Sequence, residues 1–386
     1  MAVIPYATQS IDESDLEAVR AALTSGWLTQ GHEGPRFEQH FAAIHGVEHA
    51  VAVSNATAAL HLACLALGVG PGKTVWTSPN SFVASANCAL YCGAGVDFVD
   101  IDPITRNMSV DALAKKLLAA RLAGHLPSVL IPVHFAGLPC DLRPMRELAD
   151  EYGFAILADA SHAVGSDYEG EPVARRHADI SVFSFHAVKI NTTGEGGMLV
   201  TQHAGLAQKL RLLRSHGITR DAAEMESPPD GPWSYEQQLL GFNYRLTDLQ
   251  AALGSSQLQR LAEFQRRRER LAAHYPALLA GLPLRLPAVL PGRSHAWHLY
   301  AIEVEEGAPV SRAQVFARLR HAGIGVNVHY TPIHLQPHYR RLGFSEGMFP
   351  CAESYGRQAL SLPLYPGLSD MQQERVADSL RSAFVP

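Results

Sequence analysis

Charged residues are sparse in this chain of 386 residues, only 18%, and 32 Lys and Arg stand against 37 Asp and Glu for a formal net charge of −5. With no basic excess there is no broad cationic surface, which argues against nucleic acid or an anionic membrane as the main partner. Cysteine is scarce too. Five residues, Cys64, Cys88, Cys92, Cys140 and Cys351, are an odd number without Cys-x-x-Cys spacing, so reduced and mostly buried thiols are expected rather than a disulfide framework. No run approaches the roughly 20 apolar residues of a membrane span, and Met1-Ala-Val-Ile-Pro5-Tyr6 shows no basic stretch leading into an apolar core; a cytoplasmic location is the expectation. No Gly-x-Gly-x-x-Gly precedes a helix, so a nicotinamide-dependent oxidoreductase lacks its fingerprint. Gly68-Val-Gly-Pro-Gly-Lys73-Thr74 imitates a P-loop but has Leu67 where the first glycine belongs and strand-like Val75-Trp76 where a helix should follow; it reads as a turn.

What is present is a hydrophobic fraction of 47% and a long alternation of short apolar runs with helical patterns. At about 150 residues per domain the length allows two or three domains. Ala50–Val53, Thr74–Thr77, Val96–Ile101, Val129–Val133, Phe154–Ala158, Ile180–Phe183 and Met198–Thr201 read as strands, with helices at Thr57–Leu67, Val83–Tyr91, Val110–Ala120 and Leu142–Tyr152. Such alternation builds an α/β domain whose mostly parallel sheet is covered on both faces and binds ligands beyond the carboxyl ends of its strands. Ile218 to Gly241, with Pro228-Pro229-Asp230-Gly231-Pro232, reads as a long loop. A capping box at Thr247-Asp-Leu-Gln250 opens a helix expected to run to Leu279. Extended runs at His298–Val304 and Ile324–Tyr330 and helices at Gln314–Ala322 and Asp370–Phe384 suit a smaller α+β domain. The expected division is a large domain over 1–245 and a small one over 246–386.

Nineteen histidines invite a metal reading, most of all His329, His334 and His338, but Pro332 and Pro337 break any helix that would align them and no Cys or acidic residue nearby completes a ligand set; no metal is expected. Arg266-Arg-Arg-Glu-Arg270 reads as a solvated helix face. A stronger pattern lies at successive strand ends. Ser54-Asn-Ala-Thr57 caps a helix whose free amides favour an anion. Asp159-Ala-Ser-His162 delivers an acid from an apolar strand, either as a helix cap or as a partner for a cation. Ser184-Phe-His-Ala-Val-Lys189 and the turn Thr192-Thr-Gly-Glu-Gly-Gly197 hold a lysine beside the same crevice. Phosphate cup, acid and lysine, in that order, are what pyridoxal 5′-phosphate requires: an amine for its aldehyde, an acid for its pyridine nitrogen and a cradle for its phosphate. Phe82, at the end of the Val75-Trp76 strand, is either a ring-stacking residue or an ordinary core phenylalanine.

At these residues the chain resembles the sugar aminotransferases of the DegT/DnrJ/EryC1/StrS family, which have the fold type I pyridoxal-phosphate architecture. The resemblance runs from Ile4-Pro5-Tyr6 to the C-terminal helix, through Trp27-Leu-Thr-Gln-Gly31, Val53-Ser-Asn-Ala-Thr-Ala-Ala-Leu60, Ser81-Phe-Val-Ala-Ser-Ala-Asn87, Gly241-Phe-Asn-Tyr-Arg245 and His329-Tyr-Thr-Pro332. It implies that Lys189 is the Schiff-base lysine and Asp159 the pyridinium partner. It further implies that Phe82 stacks on the ring, that His162 lies at the phenolic edge, and that Thr57 and Ser184, with Ala56, hold the phosphate. Asn243 would reach the phosphate of the neighbouring subunit, making the active unit a homodimer with shared sites. Tyr6, His329 and Tyr330 would lie near the nucleotide-sugar. The His-x-x-Lys form around Lys189, Pro5-Tyr6 and Gln9-Ser-Ile-Asp12 most resemble the transaminase of pseudaminic acid synthesis that makes UDP-4-amino-4,6-dideoxy-N-acetyl-β-L-altrosamine, although Asn191 stands where several such enzymes have proline. The implied reaction is transfer of an amino group from glutamate to C4 of a UDP-linked 4-keto-6-deoxy sugar, through the PLP and PMP forms of the cofactor. The alternative is a GDP- or dTDP-linked 3- or 4-keto sugar. Lys189 speaks against the family's dehydratase branch, which carries histidine there.

Overall fold

The computed structural model of the chain describes residues 3–385. Two helices absent from the expectations open it. Asp12 accepts the amides of Ser14 and Asp15 and starts α1 (Glu13–Thr24), while Gly46, in the left-handed region, ends α2 (Glu33–His45). Strand β1 (His49–Val53) leads into α3 (Ala56–Ala66), β2 (Thr74–Thr77) into α4 (Ala84–Tyr91), β3 (Gly95–Phe98) into α5 (Val110–Ala123), and β4 (Val129–Ile131) into α6 (Leu142–Tyr152). Then come β5 (Ala155–Asp159), the short pair β6 (Asp167–Tyr168) and β7 (Glu171–Pro172), β8 (Ile180–Ser184), β9 (Gly197–Thr201) and α7 (Ala204–Arg214). The seven-stranded sheet has the order β1-β9-β8-β5-β4-β2-β3, parallel from β8 through β3 and antiparallel where β9 meets β8 and β1. Because β9 runs against both neighbours, β1 and β8 point the same way as the parallel strands. Every βα turn from β1 to β8 therefore opens on one edge. This is the mainly parallel α/β sheet expected, with Phe37, Phe41, Leu113, Leu117 and Met145 packed on one face and Leu60, Leu62, Cys88, Ala89 and Leu210 on the other.

Several local expectations change. The stretch from Ile218 to Gly241 contains a small hairpin of β10 (Ile218–Thr219) and β11 (Glu236–Gln237). The helix after Thr247 is two helices, α8 (Asp248–Gln259) and α9 (Leu261–Leu278), because the backbone of Arg260 leaves the helical region, φ −101° and ψ 5°. Ile324–Tyr330 is no strand: Ile324 bridges to Ile4 and Asn327 to Ser361, singly. The small sheet is β12 (Leu284–Arg285), β14 (Tyr300–Val304) and β15 (Ala359–Leu362), in the order β12-β14-β15, while β13 (Arg293–Ser294) joins β6. It is covered by α10 (Arg312–His321) and α13 (Asp370–Ala383), with the short α11 (Pro337–Arg340) and α12 (Pro350–Gln358) between them in sequence. The arginine run on α9 is not simply solvated. Arg268 is wholly buried and donates to the carbonyls of Trp297 and Leu364, because three backbone oxygens converge where the helix crosses into the second core.

That crossing occurs within α9: Ala251, Leu258, Leu261 and Phe264 belong to the large core, while Leu271 and Tyr275 belong to the small one, which also takes in Ile4 from the N-terminal segment. A fourth cluster joins the two. Phe98, Ile101 and Phe135 of the large domain pack against Tyr339, Phe349 and Tyr355, each large apolar side chain contributing about 1.5–3 kcal/mol when fully buried. Beside it Arg106 pairs with Glu303 of β14, Nε to Oε1 2.8 Å, both side chains buried. Removing one member of a buried pair strands the other charge without water. Glu303→Ala should therefore lower the unfolding free energy by about 3–5 kcal/mol, read as a lower urea midpoint, while replacing both residues by apolar ones should recover much of the loss. A single-variant cost below about 1 kcal/mol would show that the pair does not hold the domains together.

Candidate active site

The turns beyond β1, β2, β4, β5 and β8 enclose one cavity of about 970 Å³. Tyr6, Ala56, Thr57, Phe82, Asp159, His162, Ser184, Lys189, His329 and Tyr330 all line it. Asn243 does not. It is exposed, on the segment between the β10–β11 hairpin and α8, and bridges only to Ser215. Phe82 lies five residues past the end of β2 rather than in it, 59% exposed, so it is not a core residue.

Asp159 is held from both sides. Its strand pairs with β8 through Val182, its amide donates to Pro132, and its carbonyl accepts from the amide of His134. The carboxylate is then oriented: Oδ2 accepts from Ser85 Oγ at 2.6 Å and Oδ1 from the Ser161 amide at 3.1 Å, while Ser81 and Ser85 share a bond of 2.7 Å. With the Ser85 proton committed to the carboxylate, Ser81 must be the donor to Ser85. Neither serine stood among the expected site residues. Lys189 reaches the same pocket from the turn after β8. Burial favours its neutral amine and brings its pKa down to about 8 from 10.5, against the pull of Asp159, which favours the ammonium.

Around this pair stand imidazoles that burial and the Lys189 charge keep neutral. His329 is lowered to about 3, and His162 and His298 well below 6.5. Hydrogen-bond direction fixes one tautomer. The Ala136 amide donates to His162 Nδ1 at 3.2 Å, so the ring proton is on Nε2 and donates to Tyr330 Oη at 3.3 Å, leaving the tyrosine proton for another acceptor. Burial raises Tyr330 well above the usual phenol value, so it stays protonated. His298, not anticipated, has a buried Nδ1 without a protein partner among the described residues. His186 and Glu195, 3.9 Å apart, stand exposed on the rim.

The residues fit a phosphorylated aldehyde cofactor. Asn55 caps α3 by accepting the Ala58 amide at 2.8 Å, which leaves the amides of Ala56 and Thr57 ahead of it free for an anion, with Ser184 alongside. Gly197, opposite both Val53 and Ser184 in the sheet, is what lets this turn come so close: a Cβ there would lie 2.6 Å from the Asn55 carbonyl carbon and 2.8 Å from the Ala56 nitrogen. Asn191, nearby in sequence, is wholly buried with neither amide atom bonded among the described residues. The histidines near the C-terminus go separate ways. His329 bonds Ser361 Oγ at 2.8 Å, while His334 pairs with Glu353 at 2.9 Å in the joining cluster, so an acidic neighbour does exist there, as a single partner.

Residues 9–381 match the DegT/DnrJ/EryC1/StrS aminotransferase family. The chain is 40% identical over 98% of its length, and 96% of the relative's, to the spore coat polysaccharide biosynthesis protein SpsC of Bacillus subtilis. Its fold is similar to that of Helicobacter pylori PseC, an aminotransferase involved in the biosynthesis of pseudoaminic acid, with TM-score 0.91, 30% identity and 99% of each chain covered. It is also similar to the sugar aminotransferase Spr1654 of Streptococcus pneumoniae in its PMP form, with TM-score 0.90, 29% identity and 98% of each chain covered.

Bonding to an aldehyde needs the free amine. Uptake of pyridoxal phosphate by the apo-protein should climb with pH below about 8 and level off above it, because that is where the Lys189 ammonium is lost; an ordinary lysine would keep gaining up to 10.5. Stopped-flow traces of the cofactor's visible band at a series of pH values decide between the two profiles.

Proposed function

The chain belongs to the DegT/DnrJ/EryC1/StrS aminotransferase family and is a pyridoxal-phosphate-dependent sugar aminotransferase, and from that premise we propose that it transfers an amino group from glutamate to C4 of a UDP-linked 4-keto-6-deoxy N-acetylamino hexose. The products are 2-oxoglutarate and the 4-amino sugar nucleotide. The observation that carries an amine-transfer site is the meeting of the Lys189 amine, the oriented Asp159 carboxylate and the α3 phosphate cradle in one cavity. Likeness to PseC over almost the whole chain supports C4 and the pseudaminic-type sugar. The higher identity to SpsC, a spore coat polysaccharide biosynthesis protein, supports sugar chemistry without specifying a nucleotide, and the second reading is that the same site takes a GDP- or dTDP-linked 3- or 4-keto sugar.

When bound, the cofactor carries the amino group between the two substrates and its protonated ring draws electrons from the carbon being deprotonated. The chain's residues divide the remaining work. Asp159, fixed by Ser85 and the Ser161 amide, would hold the proton on the ring nitrogen. Ala56, Thr57 and Ser184 would hold the phosphate, and Phe82 would cover the ring face. Lys189 Nζ, whose ammonium is lost far more readily than an ordinary lysine's, would take the proton from glutamate's α-carbon and in the second half return one to sugar C4. His162, donating through Nε2 to Tyr330, would orient the phenol at the cofactor's edge, while His329 and Tyr6, rings 5.6 Å apart, would face the nucleotide-sugar. Asn243 would act across a homodimer.

Incubation with glutamate and a panel of UDP-, GDP- and dTDP-linked 4-keto-6-deoxy sugars, with a 3-keto sugar as comparison, should release 2-oxoglutarate with the UDP-linked N-acetylamino sugar above all. Lys189→Ala should lose turnover while still binding the phosphorylated cofactor. Preference for a GDP- or dTDP-sugar would transfer the assignment to the second reading, and turnover without glutamate consumption would end both. For the shared site, mixing Lys189→Ala with Asn243→Ala chains should restore activity to about a quarter of wild type, since about half the dimers are hybrids with one intact site of two. No gain on mixing would place Asn243 outside the neighbour's site.

A further inference from the structure

Three of the five thiols meet where α3 packs on α4. His61 and Cys64 lie one turn apart on α3, and Cys88 and Cys92 one turn apart at the C-terminal end of α4. Cys64 neighbours both Cys88 and Cys92, and Cys92 also meets His61. Cys64 and Cys88 are wholly buried, the latter donating to the Ser85 carbonyl at 3.4 Å, whereas Cys92 is partly open to solvent. The amine-transfer reading uses none of these sulfurs.

We propose that this cluster is an oxidative modification site, in which Cys92 reacts with hydroperoxides and Cys64 resolves the product as a reversible disulfide joining α3 to α4. The Cys92 thiolate attacks one peroxide oxygen, the O–O bond breaks, and the leaving oxygen departs as water or an alcohol after taking a proton. Cys92 is then a sulfenic acid. The Cys64 sulfur displaces its hydroxyl as water, so that two electrons have passed from the two thiols to the peroxide.

The surroundings divide these roles. Cys92 is partly open to solvent while Cys64 is wholly buried, and the nearby Cys64 thiol first, then His61, favours the Cys92 thiolate against its partial burial, whereas the neighbouring thiols and burial keep Cys64 protonated. The groups facing Cys92 are His61 and Cys64 on α3 and Cys88 and Tyr91 on α4, with Tyr244 touching His61 at 3.4 Å. Cys351 is the built-in comparison, since it is of similar intermediate exposure but raised by burial and by Asp100. The cluster also adjoins the cavity, for His61 and Tyr91 line it, α3 begins at the phosphate cradle, and α4 carries the Ser85 that orients Asp159.

The test is thiol mapping on the cofactor-loaded protein. At pH 7 iodoacetamide should alkylate Cys92 about tenfold or more faster than Cys351. After stoichiometric hydrogen peroxide, peptide mass mapping should find a dithiothreitol-reversible link between Cys64 and Cys92. In Cys64→Ala the sulfenic acid should persist and be trapped by dimedone at Cys92, and Cys92→Ser should give neither product. Equal alkylation of Cys92 and Cys351, a link to Cys88 in place of Cys64, or five free thiols after peroxide would each overturn the proposal. None of these readouts depends on which sugar the enzyme takes.

Discussion

The active site is organised around one carboxylate and one amine that share a single cavity. Asp159 and Lys189 attract each other, yet burial disfavours the ammonium more strongly than the carboxylate can compensate, so the lysine pKa falls to about 8. The buried imidazoles nearby adjust to that balance. His162, His298 and His329 stay neutral because each additional positive charge would face both desolvation and Lys189. A neutral imidazole has one donor and one acceptor, so hydrogen-bond direction becomes determinate, and the Ala136 amide settles it for His162. The pocket is thus ordered by its electrostatics before any ligand enters.

The fold serves that balance in two ways. The edge where β1, β2, β4, β5 and β8 end is a single line of turns, and Gly197 permits β9 to close against the cap of α3 without a side chain intervening. Segments from the C-terminal part of the chain then bring His298, His329 and Tyr330 to the same cavity. These residues are useful only if those segments keep their place, and the joining cluster around Phe98 and Phe349, with the Arg106–Glu303 pair, supplies that rigidity from side chains remote from the chemistry.

Much of this was legible in the residues, for identifiable reasons. Apolar strands followed by polar, glycine-containing turns mark the carboxyl edge of a parallel sheet, so the residues alone put Asp159, Lys189 and the capping stretch Ser54-Asn-Ala-Thr57 at that edge. Ser85 was not found because, within an apolar helix, a serine that orients a carboxylate 74 positions away looks like any small core residue. The long helix was overextended because the spacing of Leu249, Leu253 and Leu258 continues past Arg260, and periodicity carries no information on a one-residue break. Ile324–Tyr330 was read as a strand from its apolar alternation, yet it meets partners only at isolated bridges, since alternation reports burial and not pairing. Arg268 failed in the opposite sense. A charged run suggests solvent, and only the convergence of distant carbonyls makes a buried guanidinium tolerable.

The charge balance also bears on assembly. Among the described residues Lys189 is the only lysine or arginine that lines the cavity, and a phosphorylated cofactor together with a nucleotide-sugar would bring several negative charges to it. The α3 N-terminus offers about half a positive charge and two free amides, enough for one phosphate group but not for a diphosphate as well. On the proposed homodimer, further donors would come from the neighbouring copy. Asn243, held by its bridge to Ser215 on an exposed segment and pointing to no acceptor of its own domain among the described residues, has the chemistry for that, and the exposed Trp27, Trp233 and Leu240 supply apolar surface that an adjoining copy would cover. On that proposal, a site with one cation among the described residues of its lining would be completed by its copy, which would reconcile the pocket with an anionic substrate.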